Sequence, residues 1–211
     1  MKNNYKYFTI ICLLYLVQTF LINFFLDIYN LYYSYYSDQF SQEHVNQLLE
    51  NKEEWSWVGY IILPLLIFFR TSLVSLCLSI GMFFYDTENK IKFKNLYRIS
   101  LLGEFVLLLV GFSKLFFFYF IKTNFTLQDL QQFYPLSYVN FLDFTKIEPW
   151  LIHPLQTINL FEIGYFFVLV YGLHKLLKNK YAKSFEIVAA SYGTGLFIWL
   201  GLVMFLTLNI S

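Results

Sequence analysis

Across 211 residues the formal net charge is +1, the hydrophobic fraction is 58% and the charged fraction only 14%, with a mean hydropathy of +0.52. Water-soluble domains carry about a quarter charged residues, so this composition excludes an ordinary soluble fold and points to lipid as the solvent. Cys12 and Cys77 lie in apolar runs and read as buried thiols; no CxxC or metal-ligand spacing is present, so no metal and no cofactor are expected.

A spanning helix needs about 20 mostly apolar residues. Five stretches meet that length: residues 7–26, 57–84, 100–121, 155–177 and 185–208. The first begins with Lys2 and Lys6 like a signal peptide, but residues 21–25 read LINFF without a small-residue cleavage site, which predicts a retained anchor. The second contains Pro64 and Arg70. No internal repeat and no separable soluble segment appears. The predicted fold is therefore all-α, a five-span transmembrane helix bundle forming one domain over residues 1–211.

Lys and Arg counts in short loops set the orientation of such a bundle. With the N-terminus inside, the inner segments hold Lys2, Lys6, Lys90, Lys92, Lys94, Arg98, Lys175, Lys178, Lys180 and Lys183, while the outer ones hold only Lys52, Lys122 and Lys146. This asymmetry predicts a cytoplasmic N-terminus and an external C-terminus. Trp55, Trp57, Trp150 and the tyrosines of residues 32–36 then form an outer aromatic belt. The basic loops at 90–98 and 175–183 flank spans, so anionic lipid headgroups rather than nucleic acid account for them.

Two outer loops carry amphipathic patterns. Residues 41–54 place Val45, Leu48 and Leu49 on one helical face. Thr126 sits where it caps a short helix bearing Leu127, Leu130 and Tyr134, stopped by Pro135. These segments cap the bundle or bind other membrane proteins. The aromatic stretch 136–150 is expected at the outer face.

Charges inside a span cost at least about 2.5–3.5 kcal/mol each, which makes Arg70, Glu104, Lys114 and Glu162 the candidate site residues. Span depth matches Lys114 to Glu162, leaves Arg70 with Glu162 or a carbonyl freed by Pro64, and puts Glu104 close enough to the inner surface to meet Arg98 or water. Arg70, Thr71 and Ser72, six residues after Pro64, mark either a broken helix or one long kinked helix. His44, His153 and His174 fall on both sides of the bundle and cannot form one metal site. No Ser/His/Asp arrangement appears, and no catalytic residue is expected. The fifth span has small residues at Ala189 and Gly193; Gly103 and Gly111, and Gly164 and Gly172, each recur at eight residues, which favours close helix packing.

Residues 154–165, PLQTINLFEIGY, are followed by Tyr171-Gly172-Leu173 and a basic turn into Ala182-Lys183-Ser184-Phe185. Together with the five-span pattern, this resembles the Yip superfamily of small membrane proteins over about residues 72–208. The resemblance implies a fold and a membrane location. The acidic DLYGP-type motif of eukaryotic members is absent, so vesicle traffic and small-GTPase binding are not implied. The reading drawn from the sequence is a non-enzymatic, multi-pass protein of a bacterial inner membrane, serving as scaffold or accessory subunit of a membrane or export complex. The alternative is a small transporter or channel with a polar intramembrane pathway; a lipid-modifying enzyme acting from the outer loops is a third.

The basic asymmetry is directly testable. In a variant lacking Cys12 and Cys77, impermeant thiol reagents should label Gln47→Cys and Gln132→Cys in intact cells but not Asn89→Cys. Outside labelling of position 89 would reverse the orientation.

Overall fold

Apolar segments without access to water must close their own backbone hydrogen bonds, and a helix does so within a single segment. The computed structural model describes residues 2–85 and 91–210; Asn89 and Lys90 lie outside the described residues. Ten α-helices follow in order: α1 (Lys2–Phe25), α2 (Ile28–Ser37), α3 (Gln42–Glu54), α4 (Ser56–Phe84), α5 (Phe93–Phe116), α6 (Leu127–Gln132), α7 (Pro149–Thr157), α8 (Leu160–Leu177), α9 (Tyr181–Val188) and α10 (Thr194–Ile210). Single π-helical turns extend α5 through Phe117–Ile121 and join α9 to α10 through Ala189–Gly193. No strand forms among the described residues. Among the described residues, five stretches are long and apolar enough to cross a membrane: Asn4–Phe25, Ser56–Phe84, Phe93–Ile121, Leu160–Leu177 and Tyr181–Asn209.

The bundle is built around α5, which packs on α1, α4 and α8. Helices α1 and α5 run parallel and in register: Asn4 donates to the Lys94 carbonyl and Gln18 to the Leu108 carbonyl, each at 2.7 Å and each 90 residues apart in sequence. Helix α8 crosses the opposite side of α5, where Leu169, Val170 and Leu173 join Leu96 and Ile99 in the largest core cluster. The fifth span closes that cluster through Ile187, Val188 and Tyr192 and meets α4 at small residues. A side chain at Gly81 would strike Ser191, and one at Gly195 would strike Cys77. Gly193 faces open space, so the close approach expected at Ala189 and Gly193 falls instead at Ser191 and Gly195. The expected glycine contacts at Gly103, Gly111 and Gly172 are present, against Tyr165, Gln18 and Ile99 respectively.

Helix α4 runs unbroken from Ser56 to Phe84 with Pro64 inside it. Thr71 returns its hydroxyl to the Ile67 carbonyl at 2.8 Å, so residues 70–72 do not break the helix. The interruption lies in the predicted fourth span. Residues 155–177 are not one helix: α7 ends at Thr157, Ile158 and Asn159 are non-helical, and α8 starts afresh at Leu160. Asn159 caps the new helix by accepting from the Glu162 amide at 2.8 Å. The connection is buttressed by residues 136–138: the Leu160 amide donates to the Leu136 carbonyl, the Tyr138 amide to the Ile158 carbonyl, and the buried Ser137 hydroxyl to the Leu155 carbonyl. The 136–150 stretch thus begins by bracing a helix start and then forms two 3-10 turns, Tyr138–Phe141 and Phe144–Lys146.

The amphipathic loops spend their apolar faces inside the chain. Val45 and Leu49 of α3 are buried, as are Leu127 and Leu130 of α6. Leu130 packs with Leu26 and Phe118. Lys52 stands over the Tyr32 ring at 2.6 Å, and burial pushes its ammonium pKa down to about 8. The Thr126 cap forms a reciprocal capping box with Asp129. Lys122 donates to that carboxylate at 2.7 Å and, with Thr126, holds the Asp129 pKa below its ordinary value.

Close packing at Gly103 gives a stability test. A methyl group there would lie 2.5 Å from the Tyr165 ring, whereas Gly201 meets nothing within 4 Å. Gly103→Ala should lose about 1–3 kcal/mol by overpacking. Gly201→Ala should gain up to about 1 kcal/mol from helix propensity. Thermal unfolding in detergent checks both signs.

Candidate functional site

All five candidate spans bring polar side chains to one level. At a rise of about 1.5 Å per residue, Tyr15, Arg70, Glu104, Glu162 and Tyr192 all sit about 16–23 Å along their helices from the end that carries the lysines. Arg70 of α4 and Glu104 of α5 form an ion pair with two hydrogen bonds, the Nε to Oε1 contact measuring 3.0 Å. Tyr15 of α1 completes the triad. Its hydroxyl accepts from Arg70 at 3.2 Å and donates to Glu104 at 3.4 Å. Glu104 is fully buried, while the Arg70 side chain remains 45% exposed.

A second acid lies across the layer. Glu162, in the first turn of α8, accepts a hydrogen bond from the Tyr192 hydroxyl. Tyr192 belongs to the π-helical turn of the fifth span, and such turns commonly re-aim side chains at functional sites. Tyr165 stands one turn after Glu162 on α8. Its ring packs on Gly103 and lies 5.5 Å, centroid to centroid, from the ring of Tyr192. It is 1% exposed, and its hydroxyl has no hydrogen-bond partner. Glu104, Arg70, Glu162 and Tyr15 all lie within Coulombic reach of that hydroxyl.

The structure therefore brings together three of the four predicted charges and changes their pairing. Arg70 takes Glu104, not Glu162. Glu104 is a buried partner of Arg70, not a near-surface partner of Arg98, which instead meets Tyr7. Lys114 does not reach Glu162: it stands ten residues beyond Glu104 on α5, about 15 Å further along the axis. The depth match assumed that the third span starts near residue 100. Because α5 starts at Phe93, Lys114 stands about 31 Å from the lysine-bearing end of its helix, whereas Glu162 stands about 22 Å from the corresponding end of α8. Lys114 is partly buried and has no ion-pair partner among the described residues.

Tyr15, Tyr165 and Tyr192 were not legible as site residues. Among 18 tyrosines, no local signal distinguishes a phenol that faces a carboxylate from one at an aromatic belt. The helix break was legible: Asn159 followed three residues later by Glu162, ahead of an apolar run, is an N-cap signature. No group of His, Cys, Asp and Glu suited to a metal ion occurs among the described residues. No family model matches the chain, and no curated protein or solved structure is detectably similar to it.

A pair of double-mutant cycles separates the two pairings. Arg70→Leu alone strands Glu104 and should cost about 3 kcal/mol, the lower end for a buried pair because Arg70 is half exposed. The Arg70→Leu/Glu104→Leu double variant should recover much of that loss. The Lys114/Glu162 cycle should be additive to within about 0.5 kcal/mol. Thermal unfolding in nanodiscs reads both.

Proposed function

We propose that the chain is a small, non-enzymatic, multi-pass membrane transporter or channel whose polar layer handles a proton or small ion. The observation that carries this reading is the layer itself: two carboxylates, one guanidinium and three phenols at mid-bundle, reached by a fourth span that stops and restarts beside them. Discontinuous helices at mid-membrane are where transporters build their sites, and ionisable groups at that depth mark ion pathways. The five apolar stretches support membrane insertion. The clustering of lysines at one end supports an inside N-terminus and an outside C-terminus, and a bacterial inner membrane is the location we propose. The Yip-like segment at residues 154–165 is part of the same proposal; it covers the α7–α8 break.

The scaffold reading draws on the lack of a recognisable catalytic arrangement in the sequence and on two amphipathic outer segments as docking surfaces for other membrane proteins. Their apolar residues Val45, Leu49, Leu127 and Leu130 are buried within this chain, so that second observation favours bundle capping. Proteoliposomes decide between them. Purified protein should conduct protons down an imposed gradient, and Glu162→Gln should abolish the flux while leaving the unfolding temperature close to wild type. A wild-type rate equal to that of empty liposomes, with a stable native complex recovered on mild purification, would favour the subunit reading.

A further inference from the structure

Counting charge across the layer leaves it unbalanced. Arg70 is neutralised by Glu104 through paired hydrogen bonds. Glu162 is held only by the neutral Tyr192 hydroxyl and by its position at the start of α8. The charged and titratable groups around Glu162 are Arg70, Glu104, Tyr165, Tyr192 and Tyr134; around Glu104 they also include Tyr15, Cys12 and Tyr97. Arg70 is the one cation in both sets. With both acids ionised, the layer would hold one uncompensated negative charge in the middle of an apolar bundle. A helix N-terminus offsets such a charge by only about 0.3–1 kcal/mol in ordinary settings, less than the penalty of a lone ion at that depth.

A second observation is independent of that count. The Tyr165 hydroxyl, on a ring packed between Gly103 and Tyr192, is almost fully buried and has no partner. A buried hydroxyl left unpaired costs about 1–3 kcal/mol, and Gly103 is the residue that lets the ring enter. The arrangement holds the donor and acceptor groups of a proton carrier without a proton assigned to them.

We propose that the layer is a proton-binding site in which one proton is shared between Glu104 and Glu162 through the Tyr165 hydroxyl. The Tyr165 hydroxyl bonds neither acid in the resting structure, so transfer requires it to approach both; Tyr165 then gives its hydroxyl proton to one carboxylate as it takes up the proton leaving the other acid. One O–H bond forms for each that breaks, the phenol is regenerated, and the layer keeps a net charge of zero. Arg70 follows whichever acid is ionised. This inference rests on the transport reading for its use, but it makes a statement about protonation that flux does not measure.

Infrared spectroscopy of the full chain in nanodiscs tests it. At neutral pH the wild type should show the carbonyl stretch of a protonated carboxylic acid, shifting on transfer to heavy water. Glu104→Gln and Glu162→Gln should each remove that band, because either change leaves Arg70 with a single acid and no call for a proton. The exposed-loop control Glu148→Gln should leave it intact. Tyr165→Phe should keep the band and slow its deuterium shift several-fold. Absence of the band in wild type overturns the site without reference to any variant. A band that survives either Gln change overturns the charge count, and an unchanged shift in Tyr165→Phe overturns the relay. Sodium-dependent thermal stabilisation in a wild type lacking the band would assign the layer to a metal cation instead. A band without flux would sink transport and leave the site standing; flux without a band would do the reverse.

Discussion

The Arg70–Glu104 ion pair is the contact on which the arrangement of the bundle turns. Moving either ion alone into a low-dielectric interior costs several kcal/mol, and only a well-formed partner returns it. The pair therefore fixes α4 against α5 at one rotation and one depth. Tyr15 extends the constraint to α1. For helices in lipid, apolar packing alone would not set such a register, because lipid tails are as apolar as the leucines and phenylalanines they would replace. Polar contacts do it along the whole α1–α5 seam: Asn4, Tyr15 and Gln18 each find a group on α5 at a nearly constant sequence offset.

The second half of the molecule answers a different constraint. The α8 helix begins at a break between the exposed Ile158 and Leu160 side chains, and its first amides and the Ile158–Asn159 backbone lack intrahelical partners. Unsatisfied backbone groups there cost several kcal/mol each, so the chain supplies partners from elsewhere. Asn159 caps α8, Ser137 reaches the carbonyls that end α7, and residues 136–138 exchange backbone bonds with residues 158–160. This bracing places Glu162 at the level of Arg70 and Glu104. The loop after α6 is thus part of the polar layer's architecture, not a surface embellishment. The π turn at Ala189–Gly193 brings Tyr192 to meet the same acid.

Much of the fold was legible because it follows from hydropathy and local chemistry. The five long helices fall close to the five apolar runs. The Thr126 cap and the apolar faces of α3 and α6 came out as their residue types dictate. Pro64 left a broken helix and one long helix both open; a proline in a long apolar helix is tolerated when neighbouring helices and side chains absorb the lost hydrogen bond, and α4 is continuous. The true interruption carried a proline too, Pro154, but the break came four residues after it, at Ile158 and the capping residue Asn159.

By itself the sequence determined how many stretches can cross a membrane, which ends collect lysines, and which four charges must be accommodated. Those are properties of composition and short-range order, and they survive any packing arrangement. Only the tertiary structure decided which charges meet. Pairing depends on the depth of each residue, which shifts when one helix starts seven residues before the apolar run, and on its azimuth, which no linear count supplies. A single such shift separated Glu162 from Lys114. Packing across α5 likewise selected Tyr15, Tyr165 and Tyr192 from among many tyrosines, because a phenol becomes part of a polar site only when another helix brings a carboxylate within reach.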